Sequence, residues 1–261
     1  MFKNLQIEWL KIKNYRAFWI FMGLYLISIV AINYIAFYIY KQTVKDMPMA
    51  EAILKSPYSF PKVWQTVGWM GSWLLYFPGI IIILLASNEF SFKTHRQNII
   101  DGWSRNEFVY TKLMLVVIVS IAITIITTIT SVIFGLASGS DFTLDNSINI
   151  SYVFIQSLSY ISLALLCAVV FRRSGVALIV FVIYGLIFES ILCFPVLNRY
   201  VQPQLGFFLP LETTDTLVPI PFAHKTIYKN APDAIYLLIA ALAYLLLYFY
   251  LVTKKFKTDD L

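Results

Sequence analysis

NEFSFKTHRQNIIDGWSRNEFVYTK, residues 88–112, is a polar, basic passage between two long apolar runs. It carries charges of both signs and one of the two histidines, His95. Phe92, Ile99 and Trp103 fall at i, i+7 and i+11, which places them on one helical face, with Arg96 at i+4 interrupting the stripe. Gly102 stands where a helix C-terminus favours a residue free to turn left-handed. Ser104 and Glu107 have the S-x-x-E spacing of a capping box, in which each side chain satisfies a backbone donor of the other. The pattern predicts a short amphipathic helix over 91–101, a tight turn, and a new helix from about Arg105. A buried loop has no use for such a helix; a docking surface at a membrane face does.

The flanking runs decide the class. Of 261 residues, 59% are hydrophobic and 13% charged, with mean hydropathy +0.75. Soluble domains carry about 25% charge. Runs of about twenty apolar residues recur, each long enough to cross a hydrocarbon core about 30 Å thick. They are too long and too evenly apolar for barrel strands, so the backbone satisfies itself as helices. The net charge of +6 sits beside the runs, where topology explains it, and not in one basic patch. Nucleic acid is therefore not an expected partner; the lipid bilayer is. Cys167 and Cys193 fall near opposite ends of different spans, too far apart to pair, and read as small buried apolar residues. The first apolar run lacks a small-residue cleavage site and reads as a retained span.

Taken in order, residues 2–13 place Phe2, Leu5, Trp9 and Ile12 on one stripe, as in a helix lying in the membrane interface; a basic tail that only sets orientation is the alternative. Spans are predicted over 17–40, 64–87, 108–137, 150–171, 175–194 and 233–252. Pro78-Gly79 predicts a kink in the second, and Pro195 the end of the fifth. The expected fold is an all-α polytopic membrane protein: six transmembrane helices and an N-terminal interfacial helix, in one domain, 1–261. An even number of spans puts both termini on one side. With that side cytoplasmic, thirteen Lys and Arg fall inside and seven outside, which fixes N-in and C-in. Segment 196–232 has apolar stretches broken by proline, so part of it is expected to re-enter the outer leaflet or to pack over the bundle.

Nothing in the sequence supports catalysis. G-x-x-x-x-G-K-[ST], H-E-x-x-H and G-x-S-x-G are all missing. His95 and His224 fall on opposite sides of the membrane and cannot share a metal. No cofactor is expected on this chain. Glu189 is the one acidic residue inside a predicted span. It belongs either to a substrate path or gate, or to a helix–helix hydrogen bond near the outer surface. Ser120, Thr124, Thr127 and Ser131 form a continuous hydroxyl face on the third span, which either packs helices together or lines a polar route.

The layout resembles the ABC-2 type (type V) permease family, the membrane subunits of ABC exporters, over the whole chain. Its most specific part is Glu89, Lys93-Thr94-His95-Arg96, Gly102, Ser104-Arg105 and Lys112, similar to the family's "E…+T.R…G.SR.E….K" stretch. The resemblance implies that 91–101 is a cytoplasmic coupling helix between spans two and three. It would dock on a separate ATP-binding subunit, with Phe92, Ile99 and Trp103 as apolar anchors and Lys93, His95, Arg96 and Arg105 as polar contacts. It also implies two ATPase copies holding ATP-Mg, a second permease copy or homologue, and hydrophobic or amphiphilic cargo: a lipid, an antimicrobial peptide or a drug. The alternative is an ATP-independent secondary transporter or channel, which several buried charges or paired broken helices would favour.

Overall fold

Helix is the only regular structure in the computed structural model, which describes residues 2–46, 56–94, 97, 100, 102–221 and 228–258. After α1 (Phe2–Lys13) come α2 (Arg16–Asp46), α3 (Val63–Ser72), α4 (Tyr76–Ser91), α5 (Arg105–Ala137) and α6 (Ile148–Phe171). A composite helix, α7 (Ser174–Val201), a short α8 (Glu212–Leu217) and α9 (Ala234–Thr258) complete the order. Five of these are long and apolar enough to cross a membrane, and the α3–α4 pair makes up to six. The molecule is a multi-pass membrane protein.

Exposure sorts the spans. The central one is α6, with 67% of its apolar window buried; α2 has 17% and turns rows such as Ile20, Ile27 and Ile35 outward, as lipid contact requires. Some buried polar side chains on the inner faces bond across the bundle. Tyr25 Oη lies 3.0 Å from Thr127 Oγ1, and Tyr58 Oη donates to Asn33 Oδ1 at 3.3 Å.

Two interruptions differ from expectation. The bend of 45° in the second span falls at residues 73–75, not at Pro78-Gly79. Pro78 instead occupies the first turn of α4, where the backbone N–H has no intrahelical partner and its loss costs nothing. Gly79 serves packing: a Cβ there would lie 2.5 Å from the Phe181 ring. In turn, Pro195 does not end the fifth span, which runs on to Val201. Residues 184–188 and 192–201 are π-helical, and the wider turn accommodates a ring that would strike the i−4 carbonyl of an α-helix.

The bundle has two ends. At the terminal face, α1 meets α5, and Phe256 near the end of α9 packs on Phe90 (ring centroids 5.5 Å) and Phe108 (5.2 Å). At the opposite, distal face, a 3₁₀ turn (Leu205–Phe208) and α8 pack against α9, and α8 also meets α6. Tyr244 Oη donates to the Phe208 carbonyl at 2.8 Å, and Gln65 Nε2 to that of Pro219 at 2.9 Å. Thr213 and Thr214 are fully buried. The described part of 196–232 therefore packs on the bundle; His224 lies outside the described residues. Both cysteines are buried and free.

The Gly79–Phe181 contact is a tight joint, since Phe181 is fully buried and its ring has nowhere to move. Gly79→Ala should cost about 1–3 kcal/mol, read as a lowered unfolding temperature in detergent. Gly175→Ala, with nothing within 4 Å, should lose nothing comparable, and Phe181→Leu should relieve the first variant. Equal stability of the two glycine variants would refute the joint.

Candidate functional site

The polar passage 88–112 starts within the last turn of α4, which ends at Ser91. Phe92 caps that helix (φ −90°, ψ 2°), and Lys93 turns left-handed at φ 55°. Thr94, Gln97 and Ile100 have helical backbone, Gly102 turns at φ +100°, and Trp103 lies outside any helix. A new helix starts at Arg105 behind a complete capping box: the Glu107 amide donates to Ser104 Oγ at 3.2 Å and the Ser104 amide to Glu107 Oε2 at 2.9 Å. The turn and the restart agree with expectation.

The single stripe of Phe92, Ile99 and Trp103 does not. It requires one helix from 91 onward, and the left-handed Lys93 breaks the chain between Phe92 and the helical residues after it. Phe92 and Trp103 thus flank that stretch at its two ends. His95, Arg96 and Ile99 lie outside the described residues. Among the described residues of this segment, the apolar side chains presented to solvent are Phe92, 75% exposed, and Ile100, 83% exposed; Trp103 is half-buried and Lys93 exposed.

Just behind this surface lies a feature the sequence analysis missed. Glu8 of α1, Glu89 of α4 and Lys112 of α5 are all buried, and Lys11 of α1 closes the group from a half-buried position. Lys112 Nζ sits 2.6 Å from Glu8 Oε2 and 2.7 Å from Glu89 Oε1; Lys11 Nζ sits 2.7 Å from Glu8 Oε1 and 3.0 Å from Glu89 Oε1. Two acids and two bases alternate and cancel. Burial alone would raise the Glu8 carboxyl, but Lys112 and Lys11 outweigh it and hold it below the usual range. Burial likewise opposes the Lys11 ammonium, and Glu89 and Glu8 outweigh that and raise it. The contribution of Glu8 is thus lost only on acidification through its depressed value, and that of Lys11 only above its raised one. Glu8 and Lys11 therefore both stay charged at neutral pH. Its sequence signal was a Lys seven residues into an apolar helix, and an acid inside a basic N-terminal helix.

The other predicted site residues lie elsewhere. Thr124, Thr127 and Ser131 each donate to the carbonyl four residues back, at 2.8, 2.9 and 2.9 Å, and Thr127 and Ser131 are buried. Glu189, 1% exposed, is far along α7 toward the distal face, where its Oε1 accepts from the amides of Leu211 (2.6 Å) and Glu212 (3.0 Å). It therefore ties the fifth span to the start of α8.

A family model described as ABC-2 family transporter protein matches residues 4–194, which include the capping box, the charge cluster and Glu189. No curated protein matches the chain.

Removing one member of a buried charge group strands its partners, at a cost of about 3–5 kcal/mol. Glu8→Gln and Lys112→Gln should each destabilise the purified protein on that scale, and Lys11→Gln, at a wetter position, by less. The double variant of Glu8 and Lys112 should fall short of additivity by about 0.5–3 kcal/mol in thermal unfolding. Strict additivity would show that the two charges do not support each other.

Proposed function

The chain belongs to the ABC-2 family of transporter proteins, and from that premise we propose that it is the membrane-spanning permease subunit of an ATP-driven exporter. The family supports a transmembrane transport component that does no catalysis itself and works with an ABC ATP-binding subunit. In the proposed assembly two such subunits, each holding ATP-Mg, act on two permeases, this chain and a second copy or homologue. The cargo is hydrophobic or amphiphilic. In this proposal the chain sits in the cell inner membrane with its termini and terminal face cytosolic, an orientation that the distribution of Lys and Arg supports.

One observation carries the coupling role. The exposed apolar side chains of Phe92 and Ile100 stand on a segment fixed at both ends, by α4 on one side and the capping box of α5 on the other. Immediately behind it, the four-charge cluster clamps α1, α4 and α5 together. A load applied to Phe92, Lys93, Ile100, Trp103 and Arg105 would reach three helices at once. The expected contacts of His95, Arg96 and Ile99 belong to the same proposed surface. An apolar centre with a charged rim is how such contacts gain affinity.

A second interpretation, an ATP-independent carrier, draws on a different observation: the buried Glu189 and Glu212 and the half-buried Asp215 lie near two interrupted spans, the bent α3–α4 pair and the π-helical α7. Reconstitution separates the two, since that carrier would move cargo with no nucleotide present.

The coupling role is checked by co-purification. A tagged chain expressed with its ATP-binding subunit should retain it, and Phe92→Ala combined with Trp103→Ala should lower retention about tenfold or more while leaving the permease in the membrane. Unchanged retention would refute the dock.

A further inference from the structure

Below α8, at the bend between α3 and α4, a cavity of about 120 Å³ opens on the distal half of the bundle. Trp69, Trp73, Tyr76, Tyr160, Glu212 and Asp215 line it. A single water needs roughly 10–15 Å³ by this measure, so the space suits a head group more than a bare ion. Its walls are aromatic on two sides: Trp69 and Trp73 meet edge to face at 6.4 Å, as do Tyr76 and Tyr160 at 5.6 Å.

Among the described residues, no cation stands against the acids of this cavity as Lys11 and Lys112 do at the terminal face. Asp215 accepts from Gln156 Nε2 at 2.7 Å and from Tyr160 Oη at 2.8 Å, neutral donors both. Glu212 is 6% exposed, and no ion pair among the described residues includes it or Asp215. The side-chain donor beside it is the neutral Thr216 hydroxyl, one turn along. Glu189 approaches from α7 and adds a third carboxyl. Buried carboxylates without a counter-charge are costly. Burial first, then the neighbouring Asp215 and Glu189, raise Glu212 above the usual carboxylate range, and burial raises Asp215.

What would relieve this is a cation with an apolar surface. A metal ion is poorly served, because no group of three or more Asp, Glu, His or Cys among the described residues is placed to hold one, and hard cations take six or more oxygen ligands. An ammonium group suits both wall types, attracted by carboxylates and by the faces of Trp and Tyr. We propose that this cavity recognises the organic ammonium group of a cationic amphiphile. The assignment refines the transport proposal by naming the polar end of the cargo, and rests on it only for the role of the cation as cargo.

Choline and its neutral isostere 3,3-dimethylbutan-1-ol test the proposal, titrated by calorimetry into the purified chain in lipid nanodiscs, without nucleotide or ATP-binding subunit. Choline should bind saturably and at least about tenfold tighter than the isostere. Glu212→Gln, which keeps the shape of the side chain, should weaken choline about tenfold or more. Trp73→Leu, at the 58% exposed mouth, should weaken it several-fold with both carboxylates intact. Choline keeps its charge at every pH, so affinity should fall as the medium is acidified from about pH 8 to about pH 6, as Glu212 and Asp215 gain protons. Among the described residues, the other titratable groups facing Glu212 and Asp215, namely Glu189, Tyr76, Tyr160, Tyr228 and Cys193, carry no positive charge that would reverse this sign. Equal affinity for the two probes, or choline binding untouched by Glu212→Gln, would overturn the assignment. An ATP-binding subunit that co-purifies with a chain unable to bind choline would sink the pocket alone; choline binding with no co-purifying subunit would sink the exporter alone.

Discussion

A charge can be kept inside a bilayer-spanning bundle only if an opposite charge or a set of donors is held against it, and this molecule meets the requirement differently at its two ends. At the terminal face Glu8, Lys11, Glu89 and Lys112 alternate in sign and neutralise one another within hydrogen-bond distance. The position of α1 follows from this. With Trp9 and Leu10 turned outward, this helix buries little apolar surface in the bundle beyond Ile12, yet Glu8 pins it. The terminal cluster thus makes an interfacial helix part of the bundle.

Such pairing is long-range, which is why it escaped a reading of the sequence. Glu8 and Lys112 stand 104 residues apart, and the local oddity of each, an acid in a basic helix and a Lys in an apolar one, does not name its partner. What was legible is local. The Ser104–Glu107 box needs four consecutive residues and formed as its spacing predicts; Gly102 supplied the left-handed turn. The spans were legible because continuous apolarity over about twenty residues has one physical solution in lipid. Their interruptions were not, because a proline reports a missing donor without saying whether that donor was needed. Pro78 falls where it was not, and Pro195 where π-helical turns accommodate the ring. The amphipathic stripe failed for a related reason: periodicity presumes a continuous helix, and one left-handed residue at Lys93 is enough to end it.

The hydroxyl ridge illustrates the limits of a pattern in another way. Thr124, Thr127 and Ser131 share a face, as expected, but each hydroxyl is already engaged with the carbonyl one turn back. A hydroxyl engaged in this way presents little free polarity to a passing solute, though it lets helices approach closely. Thr127 has the one cross-helix partner of the three, Tyr25 on α2. The distal carboxylates have no such local option.

The two ends are joined by a single element. Glu89 and Tyr76 lie on the same helix, α4, thirteen residues and about 20 Å apart at 1.5 Å per residue. One end is locked into the charge cluster beside Phe92; the other lines the distal cavity next to the bend at residues 73–75. The bend interrupts the hydrogen-bond ladder between α3 and α4, so the two halves of the second span can change angle without breaking a continuous helix. The Gly79–Phe181 contact sets a fulcrum near the distal end of α4, against α7. On the exporter proposal, a push at Phe92 would tilt α4 about that contact and move Tyr76 relative to Trp69 on the far side of the bend and Trp73 within it. A rigid lever with its load at one end and an aromatic wall at the other needs no further relay to change the shape of the cavity.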